Sequence, residues 1–117
     1  DGRLREGDGV AGRLERGDVR LMAMKAHDKE RPVVVLTRSS SLDFLGWVTI
    51  APITSSMRGV RSEAALGIED GMKGPCVVNA HNLMTVRKDQ LGRRVARLSE
   101  TRLRAVCGAV AFALGCD

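Results

Sequence analysis

Apolar and polar positions change period along this chain, and the changes mark its elements. Residues 18–25, DVRLMAMK, alternate: Val19, Leu21 and Ala23 fall on one face, Arg20, Met22 and Met24 on the other. Both faces carry apolar side chains, so the spacing predicts a strand covered on both sides. After the polar link AHDKE, Arg31–Pro32 opens a β-branched run, PVVVLTR, a second strand with proline at its first position. SSSLDFL, residues 39–45, reads as a turn or a single serine-capped helical turn. GWVTIAPI, residues 46–53, is a third strand, stopped by Pro52 and the polar TSS that follows.

Beyond it, EAALGI, residues 63–68, is a short strand, and EDGMKGP is rich in turn formers. CVVN and LMTVR are two strand pieces on either side of a kink at Ala80–His81–Asn82. KDQLGR is a polar connection, and RRVARLS, residues 93–99, is a last strand. The period then becomes helical. Leu103, Val106, Cys107, Val110 and Leu114 share one face of a helix over 100–114, with Ser99 as N-cap, Glu100 in its first turn and Gly115 as its stop. Gly108 inside it costs about 1 kcal/mol of propensity, tolerable where packing needs a small residue. Short strands, Gly/Pro/Ser turns and one terminal helix predict a mostly β fold with added α, a small antiparallel curled sheet or barrel.

Residues 1–16, rich in Gly, Arg, Asp and Glu, show no period and read as a mobile arm ahead of one domain spanning 17–117. A length of 117 residues suits that single domain and one modest core. No apolar run is long enough for a membrane span, and the N-terminus has no apolar segment of a secretory signal. The net charge of +5 suits a polyanion or an acidic protein partner without choosing between them. The three cysteines, Cys76, Cys107 and Cys116, have no CxxC spacing and form neither a disulfide framework nor a zinc site. Cys76 and Cys107 read as core residues. Two histidines are too few for a self-contained metal site, so no metal and no cofactor is expected.

Three segments carry candidate chemistry. Arg31, at a strand mouth, offers a permanently charged guanidinium fork that can clamp a phosphate, although an ion pair with Asp28 or Glu30 is the commoner reason for such a residue. The third strand ends in three hydroxyls, Thr54, Ser55 and Ser56, with Arg58 just beyond, a set that can grip phosphate oxygens or simply form a polar turn. His81 and Asn82 interrupt an apolar strand, as recognition groups or as a hydrogen-bonded bulge. There is no Walker loop, no GxGxxG, no HExxH and no GxSxG. Phe44, Trp47 and Phe112 are the only aromatic residues, too few for a base-stacking platform.

The order GDVRLMAM, ERPVVVLTR, GWVTIAPITSSMRG, GPCVVNAHNLMTV, LGRRVARLSE and a closing helix resembles the MazF/PemK toxins of bacterial type II toxin–antitoxin systems, from about Gly17 to Gly115. The resemblance implies an SH3-like barrel with a C-terminal helix, assembled as a cytoplasmic homodimer. It implies a sequence-specific, metal-independent endoribonuclease that cuts single-stranded RNA, stops translation and growth, and is held by a cognate MazE-like antitoxin. By the same resemblance Arg31 and Thr54 are catalytic. His27, Ser55, Ser56, Arg58, His81 and Asn82 are the RNA-binding candidates. The link KAHDKE is shorter than in many relatives and lacks their loop glutamate, which leaves His27, Asp28, Glu30 and His81 as possible general bases. A CcdB-like barrel that binds gyrase, or an inactive binding module of the same fold, is the alternative.

Overall fold

The computed structural model describes residues 13–24 and 29–117. Among them are seven strands: β1 (Asp18–Met24), β2 (Lys29–Val35), β3 (Trp47–Thr54), β4 (Glu63–Leu66), β5 (Cys76–Asn79), β6 (Met84–Arg87) and β7 (Leu91–Arg97). A short helix, α1 (Ser39–Leu42), precedes β3, and α2 (Glu100–Leu114) closes the chain. Two 3-10 turns, Ile68–Asp70 and Lys88–Gln90, lie in the connections. The strands pair antiparallel in the order β4-β5-β3-β2-β1-β7, with β6 also paired to β3. The sheet curls without closing: β4 and β7 stand at the two ends of its path.

β3 organises the sheet. One edge of it pairs with β2. The other edge pairs first with β6, from Trp47↔Arg87 to Ile50↔Met84, and then with β5, at Ile53↔Val78 and Thr54↔Val77. Pro52 falls where β3 changes partner, so the N–H that proline lacks faces a gap in the ladder and no hydrogen bond is lost. Pro52 therefore does not stop the strand, as the sequence suggested; β3 runs on to Thr54. Pro32 behaves alike. β2 begins at Lys29, three residues before it, and the β2–β3 ladder ends at Val33↔Pro52, so the nitrogen of Pro32 faces an edge already open. Other boundaries move as well. The second strand ends at Val35, the fourth ends at Leu66, and the last begins at Leu91, inside the stretch read as a connection.

Alternation along β1, β2 and β3 feeds two apolar clusters, one on each face. Val19, Val34, Ala51 and Ile53 pack with Ala64, Leu66, Cys76, Val78 and Leu98 under Val106 and Ala109 of α2. On the opposite face Met22, Val33, Val35, Val48 and Ile50 pack with Leu42 of α1 and Val86. The strands are thus covered on both sides, as the two apolar faces of DVRLMAM predict. The helix has the expected ends: Ser99 Oγ accepts from the Arg102 amide at 3.1 Å, and Gly115 takes a left-handed φ of +72°.

One buried charge was not anticipated. Asp18 is fully buried, and its carboxylate accepts from Arg20 Nη2 and Arg97 Nε, each at 3.1 Å, and from the Glu15 amide at 3.1 Å. Arg20, itself buried, also donates to the carbonyls of Arg13 and Gly92. Arg16 donates to the Leu36 carbonyl at 2.6 Å and to Cys107 Sγ, while Arg13 pairs with Asp43 at 2.7 Å. These bonds fasten residues 13–16, the described part of the N-terminal stretch, onto the sheet.

Candidate functional site

The register between β2 and β3 builds the site. Its last pair is Val33↔Pro52. Continued by two residues, it sets Arg31 across from Thr54, beyond the point where β3 leaves β2 to pair with β5. The separating strand ends open a cleft of about 610 Å³ whose lining includes Glu30, Arg31, Pro32, Thr54 and Ser55. A loop from β4 to β5 supplies Met72, Lys73 and Pro75, and β7 supplies Arg93 and Val95.

Each polar group in the cleft is set up by its surroundings. Thr54 Oγ1 accepts a hydrogen bond from the Ser56 amide at 3.1 Å, which leaves its O–H proton available for another acceptor. Arg31 is exposed and makes no ion pair or side-chain hydrogen bond among the described residues. An ion pair with Glu30 therefore does not explain it. Glu30, Lys73 and Arg93 are likewise unpaired among the described residues. Among the described residues three cations face one carboxylate in the cleft, an electropositive balance.

The loop wall is held from behind by α2. Arg102 Nε donates to Asp70 at 3.0 Å and its Nη2 to Glu69 at 2.8 Å, and Asp70 also accepts from the Gly67 amide at 2.8 Å. Its hydrogen bond to Asp70 and the charges of both acids raise the Arg102 guanidinium above its ordinary value. Gly71 then turns the loop with φ of +88°, and a Cβ placed there would lie 2.9 Å from the Ala96 Cβ on β7. Only glycine lets the loop lie this close to β7.

Cys76 borders the cleft but is buried. Burial pushes its thiol up, and the Asp70 charge adds to this, so it carries little thiolate at neutral pH. The core reading of Cys76 stands, Cys107 is half-buried on α2, and Cys116 is exposed.

The remaining sequence candidates divide. Ser55 lines the cleft and Ser56 abuts it through its bond to Thr54. Arg58 sits in the loop after β3, where its amide and those of Gly59 and Val60 donate to the Glu63 carboxylate. Partial desolvation raises that carboxyl, but the three amides and the nearby His81 outweigh it and hold Glu63 below its ordinary value. His81 and Asn82 occupy the β5–β6 turn, outside the cleft lining. His81 Nδ1 lies 2.5 Å from the buried Ser62 Oγ, so the kink is a hydrogen-bonded turn and not a bulge. His27 and Asp28 lie outside the described residues. Lys73 and Arg93 were not singled out from sequence, where one sits in a plain turn and the other in a basic strand.

Among the described residues no three or more His, Cys, Asp or Glu side chains form a group that could hold a metal ion. No helix among them is long and apolar enough to cross a membrane.

Residues 15–114 match the family model described as PemK-like, MazF-like toxin of type II toxin–antitoxin system. The chain is 36% identical over 104 residues to the probable endoribonuclease MazF2 of Mycobacterium tuberculosis, a match covering 88% of this chain and all of the relative. Its fold is similar to that of the Mycobacterium tuberculosis toxin MazF-mt6, with a TM-score of 0.77 at 32% identity over 86% of this chain and 98% of the other. A mycobacterial endoribonuclease solved in complex with its cognate antitoxin shares the fold at a TM-score of 0.79 and 24% identity, over 89% of this chain and 97% of the other.

Proposed function

Because the chain belongs to the PemK-like, MazF-like toxins of type II toxin–antitoxin systems, we propose that it is an endoribonuclease in which Arg31 and Thr54 act on one phosphodiester of single-stranded RNA. The observation that carries this assignment is the placement, on one cleft and from two separating strand ends, of a pre-oriented hydroxyl and a guanidinium that has no partner among the described residues.

RNA carries its own nucleophile. The 2′-oxygen attacks the adjacent phosphorus, its proton passes to a base, and the bond from phosphorus to the 5′-oxygen breaks as that oxygen gains a proton. The products are a 2′,3′-cyclic phosphate and a 5′-hydroxyl. The protein has to align the attack and neutralise the charge that accumulates on the phosphoryl oxygens. Arg31 supplies fixed positive charge, and Thr54 donates its hydroxyl to a non-bridging oxygen. Of the side chains considered as the base, Glu30 lines the cleft and His81 does not. Glu30 takes the 2′ proton in this reading. No step requires a metal ion.

The protein works in the cytoplasm, where translated RNA is found, as a homodimer. A cognate antitoxin with an acidic tail that folds on binding silences it, the tail occupying the electropositive cleft that RNA would otherwise fill. The test is purified protein with a long single-stranded RNA in EDTA, the 5′-hydroxyl ends of the fragments being mapped by sequencing. Discrete cuts that vanish in Arg31→Ala are expected. Intact RNA with the wild-type protein, or unchanged cutting by Arg31→Ala, overturns the assignment.

A further inference from the structure

We infer that Lys73 and Arg93 form a phosphate-binding pair separate from the catalytic one, seating backbone phosphates of the RNA on either side of the bond that is cut. The inference rests on the endoribonuclease reading and assigns the source of substrate affinity within the same cleft.

Arg93 reaches the cleft through a fault in the ladder. β1 pairs with β7 at Arg20↔Arg94 and at Met22↔Leu91, so Gly92 and Arg93 together oppose the single residue Leu21. This is a β-bulge, a device that bends a strand and re-aims a side chain. Both Leu21 and Arg93 line the cleft. Gly92 suits the bulge, since a Cβ there would stand only 3.0 Å from the Leu21 carbonyl oxygen. A second register shift, between Val19 and Arg20, curls β7 further.

Lys73 comes from a different element, the loop that Arg102 and the close approach at Gly71 hold in place beside β7. A lysine on a glycine-flanked loop tip is a point charge on a flexible stem, suited to a phosphate and not to fixed bidentate geometry. Neither cation is neutralised by a neighbour among the described residues. A cleft of about 610 Å³ has room for more than one phosphate. β7 stands two strands away from β2, roughly 10 Å of backbone, so Arg93 and Arg31 can address different phosphates of one extended strand. Phosphate contacts of this kind fix register and supply affinity without reading bases.

The experiment uses the full chain with Lys73→Ala, Arg93→Ala and the charge-keeping Lys73→Arg. Cleavage kinetics are paired with binding of a 2′-O-methyl oligonucleotide, which cannot be cut, over a series of KCl concentrations. Each alanine variant is expected to weaken binding and raise KM about tenfold. It should also reduce the slope of log affinity against log salt by about 0.7. The effect falls on KM, not kcat, and Lys73→Arg restores the slope. Unchanged KM and salt slope in both alanine variants, with a wild type that cuts RNA, overturn this inference and leave the endoribonuclease reading intact. A fall in kcat at constant KM also overturns it. A wild type that neither binds nor cuts RNA overturns both.

Discussion

Arg31 and Thr54 stand opposite one another in the register of β2 and β3, two residues past its last pair, on strands that have already parted. The site is therefore made by where a ladder stops. If β3 kept β2 as its partner through Thr54, the two side chains would be cross-strand neighbours on a continuous sheet with no space between them for a nucleotide.

The first prediction concerns that pair. Thr54→Val removes a hydroxyl donor at nearly constant volume and should lower kcat by about 10²–10³, the usual loss for one donor to a developing oxyanion. Arg31→Lys keeps charge but loses the planar fork, and should also fall well below wild type. Single-turnover cleavage checks both, with circular dichroism confirming that the fold is unchanged.

A second prediction concerns the buried carboxylate. Asp18→Asn removes the buried negative charge that Arg20 and Arg97 donate to and weakens the bond from the Glu15 amide. A loss of about 3–5 kcal/mol is expected in urea unfolding. A loss under about 1 kcal/mol would show that the triad contributes little to stability.

The Glu63 carboxylate predicts a pH dependence. Its folded value is depressed, so the stability it contributes is complete above the ordinary carboxylate range and disappears as pH falls through and below it. Thermal melts of wild type between pH 6 and about pH 3 should therefore drop more steeply than those of Glu63→Gln. Parallel curves for the two proteins would count against the three amide bonds to this side chain.

The loop wall gives a fourth. Gly71→Ala forces a left-handed backbone on a side-chain-bearing residue and crowds Ala96. A cost of about 1–2 kcal/mol is expected from the backbone alone. KM for RNA should rise as Lys73 is displaced, and a variant with normal melting and normal KM would refute the packing argument.

Gly108→Ala should act in the other direction. Gly108 is exposed, and among the described residues nothing lies within 4 Å of a Cβ built on it, so packing against them does not call for a glycine there. A gain of up to about 1 kcal/mol is expected, read as a melting temperature higher by about 3–6 °C.

What could be read from the sequence depended on how local each signal was. The helix was legible to its end residues because Ser99, Gly115 and a 3.6-residue period act within a few positions of one another. The alternation in DVRLMAM announced its two clusters for the same reason. Pro32 and Pro52 misled because a proline marks a missing donor, and whether that ends a strand depends on what faces its nitrogen. Here each nitrogen meets a gap in the neighbouring ladder, which only the pairing of β2, β3, β5 and β6 reveals. Arg31, Thr54 and Ser55, which line the cleft, stood out because strand ends leave a mark in the sequence. Lys73 and Arg93 were not, since one depends on how a loop lies across β7 and the other on a bulge of one residue. His81 stood out as a polar break in an apolar stretch, but the break is a turn tied to Ser62.

The strand Trp47–Thr54 shares its edges with β2, β5 and β6 and sends Ile50 and Ile53 into different apolar clusters. Neither half of the molecule can melt while the other persists, because the same eight residues would have to be ordered and disordered at once. A calorimeter should record one heat-absorption peak, and deuterium should enter the amides of that segment last of all.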